Sequence, residues 1–259
     1  MIVVTGPGRS GTSFVASLYR ELGFDPGGPW RPNDNAGLED SAFVKVNEEL
    51  LEALGTTVAL GRQAPRGRWG NRGRRVDRSL SADGSRVPEW LSDPLARSVD
   101  WSRYKRWPLR ALDWSKLDDV TRDYGDRLRT LCDGVEVVKD PRFCWTLPVW
   151  FASGAPITAV VLSLRGLDAI VDSRISAFGH LVGEYGRSWA KNDFAYGIGL
   201  AVAAACEHRV RLEILRFPDF LEDPLALYAQ LPLPRPLTAE EFELAFERVR
   251  DRSLVHDDR

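Results

Sequence analysis

Short β-branched runs alternate with longer amphipathic stretches along this chain. Four runs read as strands: IVV near the amino terminus, VEVV at 135–138, ITAVVL at 157–162 and LEIL at 212–215. A helix-like segment follows each of them. The runs are continuously apolar instead of alternating, as in strands covered on both faces. The pattern therefore predicts an α/β fold with a central parallel sheet flanked by helices and joined by right-handed crossovers. Phe14, Val15, Leu18 and Leu22 form one apolar stripe of a first helix, with Gly23 at the capping position. The stretch GLDAIVDSRISAF predicts another, with Leu167, Ile170, Val171, Ile175 and Phe178 on one face, Asp172 and Arg174 on its polar side and Ser173 near the boundary. SAFVKVNEELLEAL predicts a third, entered through Glu39 and Asp40, where acids suit a helix start.

With 259 residues and 44% hydrophobic content, the chain can bury one substantial core, and a single domain over 1–259 is expected. No internal repeat is visible. The 35 basic and 37 acidic residues leave a formal charge of −2, which gives no global attraction to nucleic acid or to an anionic membrane. Any anion binding must be local. Cys132, Cys144 and Cys206 form an odd set without CxxC spacing, and only three histidines accompany them. That disfavours a disulfide framework and a zinc site and fits a reducing, cytoplasmic setting. Too few residues precede Thr5 for a signal peptide, and the longest apolar stretch, FAYGIGLAVAAAC, is shorter than the roughly 20 residues of a spanning helix, so no transmembrane segment is expected.

Residues 62–110 differ in kind, holding thirteen basic residues against five acidic ones among Gly, Pro and Trp. This reads as an insertion or lid, with Trp69, Trp90, Trp101 or Trp107 offering flat faces to an acceptor ring. The alternative is a solvated surface loop.

The chemistry begins at GPGRSGTS, where a predicted strand runs into a glycine loop and then a helix. Such a turn aims backbone N–H groups and the positive helix end at one point, a site for a phosphate-like anion. Gly8, Arg9, Ser10, Gly11, Thr12 and Ser13 are its candidate ligands, and Arg9 adds a fixed positive charge. A Walker loop would carry lysine where Thr12 stands, which counts against an ATPase or kinase.

GPGRSGTS resembles the 5′-phosphosulfate loop of the sulfotransferases, which transfer a sulfuryl group from 3′-phosphoadenosine 5′-phosphosulfate (PAPS) and release PAP. LRGLDAIVDSR is similar to the family's 3′-phosphate motif, with Arg165 at a strand end and Ser173 eight residues later on a helix. The family usually follows that arginine with Asp or Asn and then Pro, whereas Gly166 and Leu167 stand here. NAGLEDSAFVKVNEELLEALG and VVKDPRFCWTLPVW resemble segments of bacterial members, and RFPDFLEDPLALYAQL resembles the closing strand and helix. The resemblance implies a P-loop-like domain that binds PAPS, and transfer to a hydroxyl of a small-molecule, carbohydrate, lipid or natural-product acceptor. By the same resemblance, Lys139 in KDPR acts on the bridging oxygen, as a lysine does in the tyrosylprotein members.

Sulfuryl transfer needs charge neutralised on the leaving phosphate and a base for the incoming hydroxyl. Sulfuryl carries less charge than phosphoryl, so no metal is expected. Arg9 and Lys139 fit the first need. Glu39 is the favoured base, with Asp40, Asp34 and His180 as alternatives. Two rival functions stay open: a nucleotide-dependent phosphotransferase with an unorthodox loop, and a catalytically silent nucleotide-binding module. No nucleic-acid partner is expected, and the sequence leaves the oligomeric state open.

Overall fold

The computed structural model describes residues 1–29, 38–55, 112–178 and 183–254. The 62–110 segment with its expected lid role, Asp34 and His180 lie outside the described residues.

The four expected strands are present: β1 (Ile2–Thr5), β2 (Val137–Lys139), β3 (Ala159–Leu164) and β4 (Arg211–Arg216). They form one parallel sheet in the order β2-β1-β3-β4. Strands β2 and β3 begin two residues later than their apolar runs, because the preceding turns hold the first residues. Val135 N–H donates to Cys132 O at 3.1 Å and Ile157 N–H to Ala155 O at 2.7 Å.

Helix α1 (Thr12–Glu21) follows β1, and α2 (Ser41–Leu54) and α3 (Leu117–Leu131) precede β2. Helix α4 (Phe143–Ala152) lies between β2 and β3, and α5 (Leu167–Phe178) and α6 (Gly183–Glu207) lie between β3 and β4. Helices α7 (Pro224–Gln230) and α8 (Ala239–Leu254) close the described chain. Helix α1 ends as its glycine predicts. Gly23 takes φ 80°, its N–H bonds to Arg20 O at 3.0 Å, and Phe24 N–H bonds to Tyr19 O at 3.0 Å, a Schellman cap.

The sheet separates two apolar cores. Alternate residues of β1 and β3 point to opposite faces, so Val3, Val160 and Leu162 join Phe43, Leu50, Leu128, Phe143, Trp150 and Phe194 from α2, α3, α4 and α6. Ile2, Val4 and Val161 join Phe14, Leu18, Tyr19, Phe242 and Phe246 from α1 and α8. Both faces of β1 and β3 are thus dry, which accounts for their unbroken apolar runs. Strand β4 departs from that expectation: Leu215 is buried but Ile214 is 51% exposed. It pairs only with β3 among the described strands, so its outer residues meet solvent. Among the described residues no helix is long and apolar enough to cross a membrane.

The strand order positions the site. From β1 the chain passes to β2 on one side, while from β3 it passes to β4 on the other. Parallel α/β sheets open a crevice at the carboxyl ends of two such neighbouring strands. Here that crevice receives the loop after β1 and Arg165, the residue after β3.

Candidate active site

The loop from Gly6 to Gly11 folds tightly over the end of β1. Gly6 has φ 150°, and a Cβ there would fall 2.1 Å from Ser163 O, so no side chain fits. Gly11, the N-cap of α1, has φ 90°, and a Cβ would lie 2.6 Å from the Phe217 ring. Arg9 takes φ 78°, a conformation that non-glycine residues adopt at a cost of about 1–3 kcal/mol and that clusters at functional sites. The turn is pinned from below, where Ser163 Oγ donates to Ser10 O at 2.5 Å.

Three features of this loop bear on what it could hold. Gly11 supplies no side-chain cap to the first-turn amides of α1. Around Gly8, a Cβ would meet nothing within 4 Å. Ser10 is fully buried, and its Oγ has no hydrogen-bond partner among the described residues. A buried hydroxyl without a partner is costly, and native structures rarely leave one so. Thr12 is also buried and Ser13 half-buried, at the start of α1.

The second predicted anion element meets the first. Arg9 Nε donates to Ser173 Oγ on α5 at 3.0 Å. Arg165 turns its guanidinium over the Phe217 ring, 5.4 Å from the centroid, and the same ring packs against Gly11. Ser173 therefore bonds to the loop arginine, while Arg165 lies over an aromatic that sequence reading did not single out. Acidic residues of α5 are engaged from α6, Asp172 by Arg187 and Asp168 by Lys191.

On the other side of β1 lies a buried ionic cluster. Lys139 ends β2 in register with Val4, and Asp140 N–H donates to Val4 O at 3.2 Å, so both stand beside the root of the loop. Lys139 is only 1% exposed, and its Nζ lies 2.9 Å from Glu39 Oε1. Arg142 Nη1 reaches Glu39 Oε2 at 3.2 Å and Asp140 Oδ1 at 2.9 Å, while its Nη2 reaches Glu48 Oε1 at 3.1 Å. Asn47 Nδ2 donates to Asp140 Oδ2 at 2.8 Å, and Asn47 Oδ1 accepts from Thr146 Oγ1 at 2.7 Å and Trp150 Nε1 at 2.8 Å. These partners come from α2, the end of β2 and α4.

The two acids of the LED segment divide their roles. Asp40 is the N-cap of α2, its Oδ1 accepting from Ala42 N–H at 2.7 Å and Phe43 N–H at 3.2 Å, and its Oδ2 from Gly28 N–H at 2.7 Å. Glu39 faces the ionic cluster instead. Burial alone pushes the Glu39 carboxyl up, but Lys139 and Arg142 more than offset it and hold the group below the usual carboxylate range. Asp140 is driven the other way: its burial raises it, against the opposing pull of Arg142. Asp140, Arg142, Asn47 and Glu48 were invisible as a unit in the sequence, although KDPR carries two of them.

Among the described residues no cluster of three His, Cys, Asp or Glu side chains could hold a metal ion. A separate cleft of about 550 Å3 opens at the amino-terminal end of the strands, lined by Met1, Glu136, Thr158, Arg211 and Pro232 among others. It holds none of the candidate site residues. Compared with known protein families, curated proteins and solved structures, the chain matches none.

Proposed function

We propose that this protein is a PAPS-dependent sulfotransferase with a P-loop-like donor site, acting on a hydroxyl of a small-molecule, carbohydrate, lipid or natural-product acceptor. The observation that carries the reading is the 3.0 Å bond from Arg9 to Ser173, which joins the two anion elements at the crevice between β1 and β3. A donor with phosphate at both its 5′ and 3′ positions needs two such elements side by side. The unpartnered Ser10 hydroxyl, the open space at Gly8 and the uncapped start of α1 fit the 5′-phosphosulfate. Arg165 after β3 and Ser173 on α5 would supply a guanidinium fork and a hydroxyl to the 3′-phosphate.

On this reading Arg9, the loop amides, Thr12 and Ser13 hold the leaving phosphate, and Lys139 neutralises charge on the bridging oxygen. Glu39 accepts the acceptor's proton. It is ionised at neutral pH because its two cations outweigh its burial, so it can take a proton without first losing one. Thr12 in the Walker lysine position weighs against ATP chemistry.

Calorimetry with PAP and with ATP in parallel, without magnesium, tests the reading. PAP is expected to bind and ATP not to. Tight ATP binding without PAP binding would replace the proposal with a phosphotransferase. PAP binding without turnover of PAPS on a broad panel of hydroxyl acceptors would leave a silent nucleotide-binding module.

A further inference from the structure

The Glu39 carboxylate is held by both oxygens, and by cations of different kinds. Lys139 reaches Oε1 from the end of β2, on a flexible stem with a single ammonium. Arg142 reaches Oε2 from the start of α4, and it is fixed in turn: its Nη1 also bonds Asp140, its Nη2 bonds Glu48, and its backbone N–H donates to Asp140 Oδ1 at 2.9 Å. Asp140 is itself anchored by Asn47, whose amide also ties in Thr146 and Trp150. One grip on Glu39 is thus a single ammonium on a long stem, and the other belongs to a buried network.

The proposed function makes opposite demands on this pair. Lys139 must turn toward an anionic donor, and Glu39 must stay where an acceptor hydroxyl can reach it. We propose that Arg142 is a positioning residue, which keeps Glu39 anchored through Oε2 while Lys139 releases Oε1 to receive the acceptor's proton. This inference rests on the sulfotransferase reading. In the transfer step the acceptor O–H bond breaks and its proton passes to Glu39 Oε1. The acceptor oxygen bonds to sulfur as the bond from sulfur to the 5′-phosphate oxygen breaks. The electron pair leaves on PAP beside Lys139, and the proton passes from Glu39 to solvent after the products depart.

The charged groups facing Glu39 bound what Arg142 can do. Among the described residues, Lys139 and Arg142 are the cations in contact with it, and Asp140 from the β2 end and Glu48 from α2 are the anions that share Arg142. Asp40, the neighbouring acid, directs its carboxylate to the backbone of Gly28, Ala42 and Phe43. With Lys139 drawn away, Arg142 remains the cation against Glu39 in this group.

The test follows the Glu39 carboxyl directly by carbon-13 NMR of the full chain labelled at glutamate Cδ, assigned with Glu39→Gln, with saturating PAP as the probe. In the native chain and in Lys139→Met, Glu39 is expected to stay ionised down to pH 5. In Arg142→Gln its titration should move up by at least one pH unit, and Arg142→Lys should restore at least half of that shift, which a purely structural role would not do. Should Arg142→Gln fail to fold, Lys139→Met alone decides: a Glu39 that is protonated at pH 7 in its PAP complex overturns the assignment. So does an unmoved titration in a folded Arg142→Gln. Failure of PAP to bind the native chain removes the sulfotransferase reading itself and this inference with it, an outcome calorimetry separates from the other two.

Discussion

Asn47→Leu puts the buried network to its most direct test. The two side chains share the same branching and number of heavy atoms, and leucine is the bulkier, so the substitution removes polar contacts without opening a cavity. Asn47 is fully buried and serves three partners: Asp140 Oδ2, Thr146 Oγ1 and Trp150 Nε1. Thr146 keeps a second acceptor, Arg142 O at 3.2 Å, and is largely spared. The Trp150 N–H and one oxygen of Asp140 lose their partner. A buried neutral group left unpaired costs about 1–3 kcal/mol and a charged one somewhat more, so the loss should be about 3–6 kcal/mol. That is a large part of the roughly 5–15 kcal/mol that holds a typical domain folded. Guanidinium unfolding followed by circular dichroism gives the measurement, with the slope m checked for constancy. The midpoint should fall steeply while m stays fixed. A loss under about 1 kcal/mol at unchanged m would mean that Asn47 is not the keystone the contacts describe.

Arg165→Ala should weaken PAP by roughly tenfold to over a hundredfold, the worth of a charge-assisted bond of about 1.5–3 kcal/mol. Adenosine 5′-phosphosulfate, which lacks the 3′-phosphate, should be spared, and equal weakening of both in calorimetry would remove Arg165 from that role. Gly11→Ala meets both a positive φ and the Phe217 ring at 2.6 Å, so it should lower the melting temperature and PAP affinity together, whereas Gly8→Ala, with nothing within 4 Å, should leave the melting temperature within a degree or two. For Glu39 the folded pKa lies below its unfolded value, so its stabilisation is complete above the ordinary glutamate range and is lost as pH falls through the lower, folded value. Asp140 works with the opposite sign, since its raised folded pKa gives a contribution that is present at acid pH and fades as pH rises above the ordinary aspartate range. Comparing pH-dependent unfolding of the native chain with Glu39→Gln isolates the first: the variant should lose the acid-side slope.

The four strands could be read from their β-branched runs, which β1 and β3 bury on both faces. Gly23 announced the end of α1 because only a left-handed residue closes that cap. The ionic cluster is another matter. Asn47 and Asp140 are 93 residues apart and Lys139 and Glu39 are 100 apart, and no local spacing encodes such pairs. In the sequence Glu39 is favoured over Asp40 as a base only from its place ahead of a helix; both are buried, and the pairing of one with Lys139 and Arg142 and the capping of α2 by the other distinguish them. Phe217 was overlooked because an aromatic after a strand is ordinary until a glycine and a guanidinium are found against it. The exposed side of β4 escaped notice for a similar reason, since its apolar letters match those of a central strand.

The two cores divided by the sheet frame different parts of the candidate site. The loop from Gly6 to Gly11 rides on α1, whose apolar face belongs to the core shared with α8, while Glu39, Lys139 and Arg142 are framed by α2 and α4, which belong to the core on the opposite face. Only the strands are common to both. Repacking around Phe14, Leu18 and Phe246 therefore bears first on the loop from Gly6 to Gly11, whereas repacking around Phe43, Phe143 and Trp150 bears on Glu39, Lys139 and Arg142 and, through Ile170 and Val171, on α5, which carries Ser173.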